Sequence, residues 1–292
     1  MTDWSQQNCG PVNKVIALRF DGMDPGVDFA AVAWDRVLLL GSWIATSCWR
    51  SPTSGRTARR RPSGSAAEHG GPATSRWVCL DVGETLIDET RVWTLWADVL
   101  GIPVMTFMAA FGAVVDRGRD HAEVFDLVGV PDAERHQAEV ERRYGGFQPA
   151  DLYPDVLPAI AALRAAGYHI AVIANQPAVR EPELRALGVT ADVMGMSDAM
   201  GAWKPDAGFF VRALRLMGDP PPGEVAYVGD RPDNDVAPAR ASGMRAVWLR
   251  RGPWGVIHSE APGAHLVVRS LDELARRIDD VWAGGAGAPA LA

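Results

Sequence analysis

Beyond residue 75 the chain alternates two kinds of hydrophobic pattern. Short unbroken apolar runs, Trp77-Val78-Cys79-Leu80, Tyr168 to Ala174, Asp192 to Met194, Val225 to Val228, Met244 to Leu249 and His265 to Val268, read as buried parallel strands. Between them, residues 155–166, 181–187, 205–217, 235–241 and 271–282 read as helices. Gly167 and Gly188 end the first two of these helices, and Pro205 opens the third. This alternation predicts an α/β fold, a doubly wound parallel sheet with helices on both faces. Loops at the carboxyl ends of such strands form the active site.

The alternation is interrupted once. From about Thr90 to Gly145 no strand pattern occurs. Pro103 can open a helix with Met105, Met108, Ala109, Gly112 and Val115 on one face, and a second helix is expected over 131–144. Residues 90–149 are therefore expected to form a small all-helical insertion, with the α/β core in 76–89 and 150–283. The Met and aromatic positions Trp93, Trp96, Met105, Phe107, Met108 and Phe111 are read first as packing, and second as a pocket lining.

The first 75 residues differ in composition. Residues 50–76 hold six arginines, many Ser, Gly and Pro, and a single acid, Glu68, which predicts a disordered N-terminal extension. Arg59, Arg60 and Arg61 leave open a second reading, a basic arm that docks a partner. Phe29 to Trp49 is apolar, but its uncharged part, Val37 to Trp49, falls short of the ~20 residues that span a bilayer. Residues 284–292 are expected to be a flexible tail. A net charge of -7 argues against general affinity for nucleic acid, and three cysteines without CxxC spacing argue against a disulfide framework or structural zinc. A reducing cytoplasm and no membrane partner are expected.

Four polar segments follow or close the apolar runs: Asp81-Val82-Gly83-Glu84-Thr85-Leu86, Ile173-Ala174-Asn175, Trp203-Lys204-Pro205-Asp206, and Gly229-Asp230 with Asp233-Asn234-Asp235. Asp81 ends the first strand, where its carboxylate can attack phosphorus and form an acyl phosphate. The repulsion between two anions demands a cation. Asp230 can hold Mg2+ together with Asp81, the Gly83 backbone carbonyl can add an oxygen, and Asp235 can be a further ligand or hold a metal-bound water. Lys204 would neutralise the nucleophile and the moving phosphoryl group. Each residue has an ordinary alternative: a helix cap for Asp81, a solvated ammonium for Lys204, a turn for Asp230 to Asp233 and for Asn175.

At these residues the chain resembles the haloacid dehalogenase-like (HAD) hydrolase superfamily, over about Arg76 to Asp280. The first motif is matched by Asp81 to Leu86, the third by Lys204-Pro205-Asp206, and the acidic fourth by Gly229 to Asp235. Leu152-Tyr153-Pro154-Asp155-Val156, Ala241-Ser242-Gly243-Met244 and Val247-Trp248-Leu249-Arg250 agree in the flanks. The resemblance implies a Rossmann-like HAD core whose helical insertion is a type C1 cap that closes over the site. It implies a Mg2+-dependent hydrolase, a phosphatase-like enzyme on a small phosphorylated metabolite, with Asp81 as nucleophile.

Two positions depart from the pattern. The carboxylate that such phosphatases carry two residues after the nucleophile is replaced by Gly83, so Glu84, Asp88 or a carboxylate of the cap is expected to substitute. The Ser or Thr of the second motif is replaced by Ala174, and Asn175 or Gln176 is the expected phosphate-binding amide. These departures leave open a binding or regulatory protein on the same fold. A 2-haloacid dehalogenase is a further alternative, although the acidic cluster would repel a carboxylate substrate.

Overall fold

The computed structural model describes residues 76–283. The expected N-terminal extension, the apolar stretch within it and the C-terminal tail lie outside the described residues. Six parallel strands form one sheet in the order β3-β2-β1-β4-β5-β6: β1 (Trp77–Leu80), β2 (His169–Ala174), β3 (Val193–Met196), β4 (Val225–Gly229), β5 (Arg245–Leu249) and β6 (Leu266–Val268). The expected doubly wound sheet is therefore what the chain forms.

The strands are apolar on both sides because both sides are covered. Val78, Leu80, Ile170, Val172, Ala226, Val228, Val247 and Leu249 face a cluster that includes Val156, Ile160 and Leu163 of α5 (Val156–Ala165) and Leu271 and Leu274 of α11 (Leu271–Arg277). The intervening residues Cys79, Ala171, Ile173, Tyr227, Ala246 and Trp248 face Phe209, Phe210 and Ala213 of α8 (Ala207–Leu216) and Ala239 of α9 (Ala237–Ala241). Alternate positions thus serve two cores, as the period of a strand requires.

Several boundaries differ from the sequence pattern. Pro205 precedes α8 rather than opening it, and Asp206 is the residue at its amino end. The 131–144 segment starts as a 3-10 turn over Ala133–His136 before α4 (Gln137–Tyr144). The last segment breaks into α11 and α12 (Asp280–Ala283). α3 (Val124–Leu127) falls within the expected helical insertion, and two short helices were not anticipated, α7 (Ser197–Met200) and α10 (Gly252–Ile257). The remaining helices are α1 (Thr90–Val99), α2 (Val104–Asp116) and α6 (Arg180–Ala186).

The buried face of α2 is also corrected. It comprises Phe107, Phe111, Val114 and Val115, while Met105 is 85% exposed. Burying two aromatic rings removes more apolar area from water than burying the Met and Ala stripe, so the helix turns its rings inward. Phe107 and Phe111 join Trp96, Val124 and Val140 in a separate apolar cluster, to which Trp254 of α10 contributes. Among the described residues no single helix is long and apolar enough to cross a membrane.

Arg91 of α1 ties these helices to the sheet domain. It donates to the carbonyls of Tyr144 and Gly146, each at 2.7 Å, and to Asp151 Oδ1 at 2.8 Å. Burial acts to raise the Asp151 carboxyl, but the Arg91 hydrogen bond and the Gln148 N–H outweigh it and hold it below its ordinary value. A depressed carboxyl stabilises the fold above its unfolded pKa and loses that contribution as the pH falls through the folded value. Asp151→Asn is therefore expected to cost about 1–3 kcal/mol at neutral pH. In urea melts the gap from wild type should narrow once the pH drops below about 4; a gap constant into acid would contradict this role.

Candidate active site

The register of the sheet brings the polar segments together. Leu80 pairs with Val172 on one side and Val228 on the other, and the Asp81 N–H continues the ladder to the Val228 carbonyl at 2.9 Å. Asp81 and Asp230 consequently emerge side by side at the carboxyl ends of β1 and β4. This is where the connection from β1 leaves toward β2 and that from β4 toward β5, the switch point of a doubly wound sheet.

After Asp81 the chain folds back on the Val82 carbonyl, which accepts from the N–H groups of Leu86 at 2.8 Å and Ile87 at 2.9 Å. Glu84 takes a left-handed conformation, φ 49°, within this turn. Its carboxylate is committed, accepting from Tyr153 Oη at 2.6 Å and from the Glu89 N–H at 3.0 Å. Asp88 accepts the Thr90 N–H at 2.8 Å at the start of α1.

Lys204 is the hub. Its Nζ lies 2.6 Å from Asp81 Oδ1 and 2.6 Å from Asp235 Oδ1, and its side chain is 2% exposed. Asn175 clamps its backbone, accepting the Lys204 N–H at 2.8 Å and donating to the Lys204 carbonyl at 3.0 Å. Asp235 sits in a wide turn over Pro232–Val236, and its second oxygen accepts the Arg231 N–H at 2.9 Å. The Asp230 carbonyl accepts from Trp248 Nε1 at 2.7 Å. Each charged group is thus fixed through backbone on a neighbouring strand or loop.

One oxygen from each of Asp81, Asp230 and Asp235 lies within 4.8 Å of the other two. Burial raises the Asp81 carboxyl to about 6, with the Lys204 charge opposing and the Asp235 charge adding. Burial, then the charges of Asp235 and Asp81, push Asp230 well above the ordinary carboxylate range. Burial acts to lower the Lys204 ammonium, but the two carboxylates beside it win and raise it. Asp230 Oδ2 is buried with no hydrogen-bond partner. Three carboxylates against one ammonium, an orphaned oxygen and no sulfur or imidazole in the triad fit a hard divalent cation such as Mg2+.

The site opens into a cavity of about 310 Å³. Asp81, Gly83, Asn175, Lys204 and Asp230 line it from the sheet, and Arg119, Asp120 and His121 from the helical insertion. Gln176 lines it too, whereas Ala174 is fully buried in the core. Asp233 turns from the triad to pair with Arg231 at 2.7 Å, and this separates it from the acidic cluster expected from the sequence. Asn175 spends one amide hydrogen and its oxygen on Lys204, so the residue expected to bind phosphate also positions the lysine loop. Of the Met and aromatic positions expected first as packing, Trp96, Phe107 and Phe111 are buried in the helical core, and none of the six lines the cavity.

Sequence reasoning missed several cavity residues, among them Glu89, Arg119, Asp120, His121, Arg231 and Trp254. The Arg231 guanidinium lies 4.6 Å from the Trp254 ring centroid and donates to His121 Nδ1 at 3.0 Å. Burial, with the Arg231 charge adding, holds His121 below its usual value. Glu89, at the amino end of α1, is half-buried and faces the cavity. Burial, with the charges of Glu84 and Asp81 adding, pushes its carboxyl up to about 7. Only the acid-rich run Glu84, Asp88, Glu89 hinted at it in the sequence.

With this geometry in view, the relationship to known proteins is direct. The profile of the haloacid dehalogenase-like hydrolases matches residues 75–243, and the chain belongs to that family. It is 35% identical over 169 residues to a phosphoserine phosphatase from Thermus thermophilus, covering 57% of this chain and 66% of that one. It is 33% identical over 150 residues to a glyceraldehyde 3-phosphate phosphatase from Methanopyrus kandleri, covering 48% and 64%. The chain thus spans slightly less than two thirds of those two relatives. A plasmid-encoded phosphoglycolate phosphatase from Cupriavidus necator is 31% identical over 216 residues, with coverage of 68% and 90%. In fold the chain is similar to a β-phosphoglucomutase from Clostridium difficile, TM-score 0.53 at 12% identity, with coverage of 71% and 97%.

Two glycines separate site constraint from generic packing. A Cβ on Gly229 would lie 2.3 Å from Asp235 Cγ, whereas one on Gly208, in α8, would meet nothing within 4 Å. Gly229→Ala is expected to destabilise by about 1–3 kcal/mol and disturb Asp235. Gly208→Ala should be neutral or stabilising by about 0.5–1 kcal/mol. Thermal melts of the two variants check this; equal melting temperatures would count against the crowding at Asp235.

Proposed function

We propose that this protein is a Mg2+-dependent phosphatase acting on a small phosphorylated metabolite through an aspartyl-phosphate on Asp81. The observation that carries this reading is the single ammonium of Lys204 held 2.6 Å from both Asp81 and Asp235, with Asp230 beside them in the lining of the cavity. The phosphatase names of three relatives, each covered over roughly two thirds or more of its length, support it. Their substrates are small phosphate monoesters, and a cavity of about 310 Å³ suits molecules of that size.

Asp81, Asp230 and Asp235 are the residues that would hold the cation. When bound, it supplies charge neutralisation and polarises a phosphoryl oxygen. Lys204 keeps the Asp81 carboxylate in place and offers positive charge to the transferring group. An Asp81 oxygen attacks phosphorus, the bond to the leaving oxygen breaks, and water later cleaves the acyl phosphate to regenerate Asp81. The helices over residues 90–144 act as a lid, since Arg119, Asp120 and His121 reach the cavity from them. Dehalogenation fits less well, because a 2-haloacid would bring a fourth carboxylate to three buried ones. A cytoplasmic location accords with the low cysteine content.

With p-nitrophenyl phosphate and Mg2+, Asp81→Asn and Lys204→Met are expected to lower turnover on the order of 10³-fold or more. Equal rates in wild type and Asp81→Asn would overturn the reading. Independently of turnover, saturating Mg2+ should stabilise the protein by about 2.7 kcal/mol at a hundredfold excess over Kd, seen as a rise in Tm. Asp230→Asn should abolish that rise.

A further inference from the structure

The proposed reaction needs a proton that no residue assigned above supplies. An alkyl phosphate leaves as an alkoxide unless its oxygen is protonated as the bond to phosphorus breaks. Gly83, two residues beyond Asp81, has no side chain to give one. Glu84 is already bound by Tyr153 and the Glu89 N–H, and Asp88, which accepts the Thr90 N–H, does not line the cavity.

The space beside Gly83 is nevertheless filled by an acid. A Cβ built on Gly83 would lie 2.5 Å from Glu89 Oε1 and 2.9 Å from Glu89 Cδ. Gly83 is not among the residues with positive φ, so its backbone accepts any L residue. What stands where its side chain would point is the Glu89 carboxylate. Glu89 lines the same cavity as Asp81 and Lys204, at the amino end of α1. Its side chain makes no capping hydrogen bond to that helix.

We propose that Glu89 is the proton-transferring catalytic residue of this site, a carboxyl delivered from the amino end of α1 into the place left empty by Gly83. The assignment rests on the phosphatase reading above. As Asp81 attacks and the P–O bond breaks, the leaving oxygen takes the Glu89 proton and departs as an alcohol. Glu89, now a carboxylate, then takes a proton from the water that attacks phosphorus. The acyl phosphate bond breaks, its electron pair returns to Asp81, and phosphate is released with Glu89 protonated again. No other reactant is consumed.

The test compares p-nitrophenyl phosphate, whose leaving group needs no proton, with glycerol 3-phosphate, whose leaving group does. In Glu89→Gln, an isosteric change, turnover of the alkyl ester should fall about 10²–10⁴-fold. The aryl ester should instead give a burst of nitrophenolate of about one equivalent per enzyme, followed by a slow phase, because phosphorylation of Asp81 proceeds while its hydrolysis stalls. Returning a carboxyl from the other side, in the double variant Gly83→Asp with Glu89→Ala, should restore at least about tenfold of the alkyl phosphatase activity lost in Glu89→Ala alone. Equal slowing of both esters without a burst, or no gain in the double variant, overturns the role of Glu89 while leaving Asp81 chemistry intact. A wild-type enzyme with no Asp81-dependent turnover of either ester overturns both readings.

Discussion

Three carboxylates share one ammonium in the interior of this protein. Asp81, Asp230 and Asp235 approach within 4.8 Å, and at an effective dielectric near 20 each like-charged pair at that distance repels by roughly 3–4 kcal/mol. Lys204 answers Asp81 and Asp235 directly and leaves Asp230 Oδ2 with no partner. Burial first, and then the neighbouring carboxylates, raises Asp81 and Asp230, and the excess of negative groups makes the site a receptor for a further positive charge. Much of the surrounding structure serves to hold these like charges together against their repulsion.

The restraint comes from backbone rather than from long side chains alone. Asp81 is locked to β4 by its own N–H, Asp230 by Trp248 of β5, Lys204 by Asn175 at the end of β2, and Asp235 by the Arg231 N–H. Three loops, carrying these four charged residues, are thus tied to a sheet whose two faces are both buried. Fixing the charges in this way lowers the reorganisation needed when a phosphoryl group arrives. The close approach of Asp235 to Gly229 shows how little room this arrangement leaves.

The cavity is completed by elements far from the sheet in sequence. His121 comes from the helical insertion, Arg231 from the loop after β4 and Trp254 from α10, and the three meet through one hydrogen bond and ring contacts. The Arg231 guanidinium, paired with Asp233, sits against the His121 imidazole and the Trp254 indole in the lining of the cavity. Arg91, through Asp151 and two carbonyls, keeps the first helix of the insertion in position, and with it Glu89 at the amino end of that helix.

The sequence by itself determined the sheet, the alternation of its helices and the residues that close its strands. Strand period, apolar run length and the chemistry of Asp81, Lys204, Asp230 and Asp235 are local properties, legible one segment at a time. Only the tertiary structure decided which face of α2 is buried, that Asp233 leaves the acidic group for Arg231, and that Asn175 clamps the lysine loop. It also decided that Glu89, rather than Glu84 or Asp88, stands beside Gly83. Those outcomes depend on competition for space and partners among residues distant in the chain. Three neighbouring acids are nearly equivalent as letters, and they become different once Tyr153 and the start of α1 have claimed two of them.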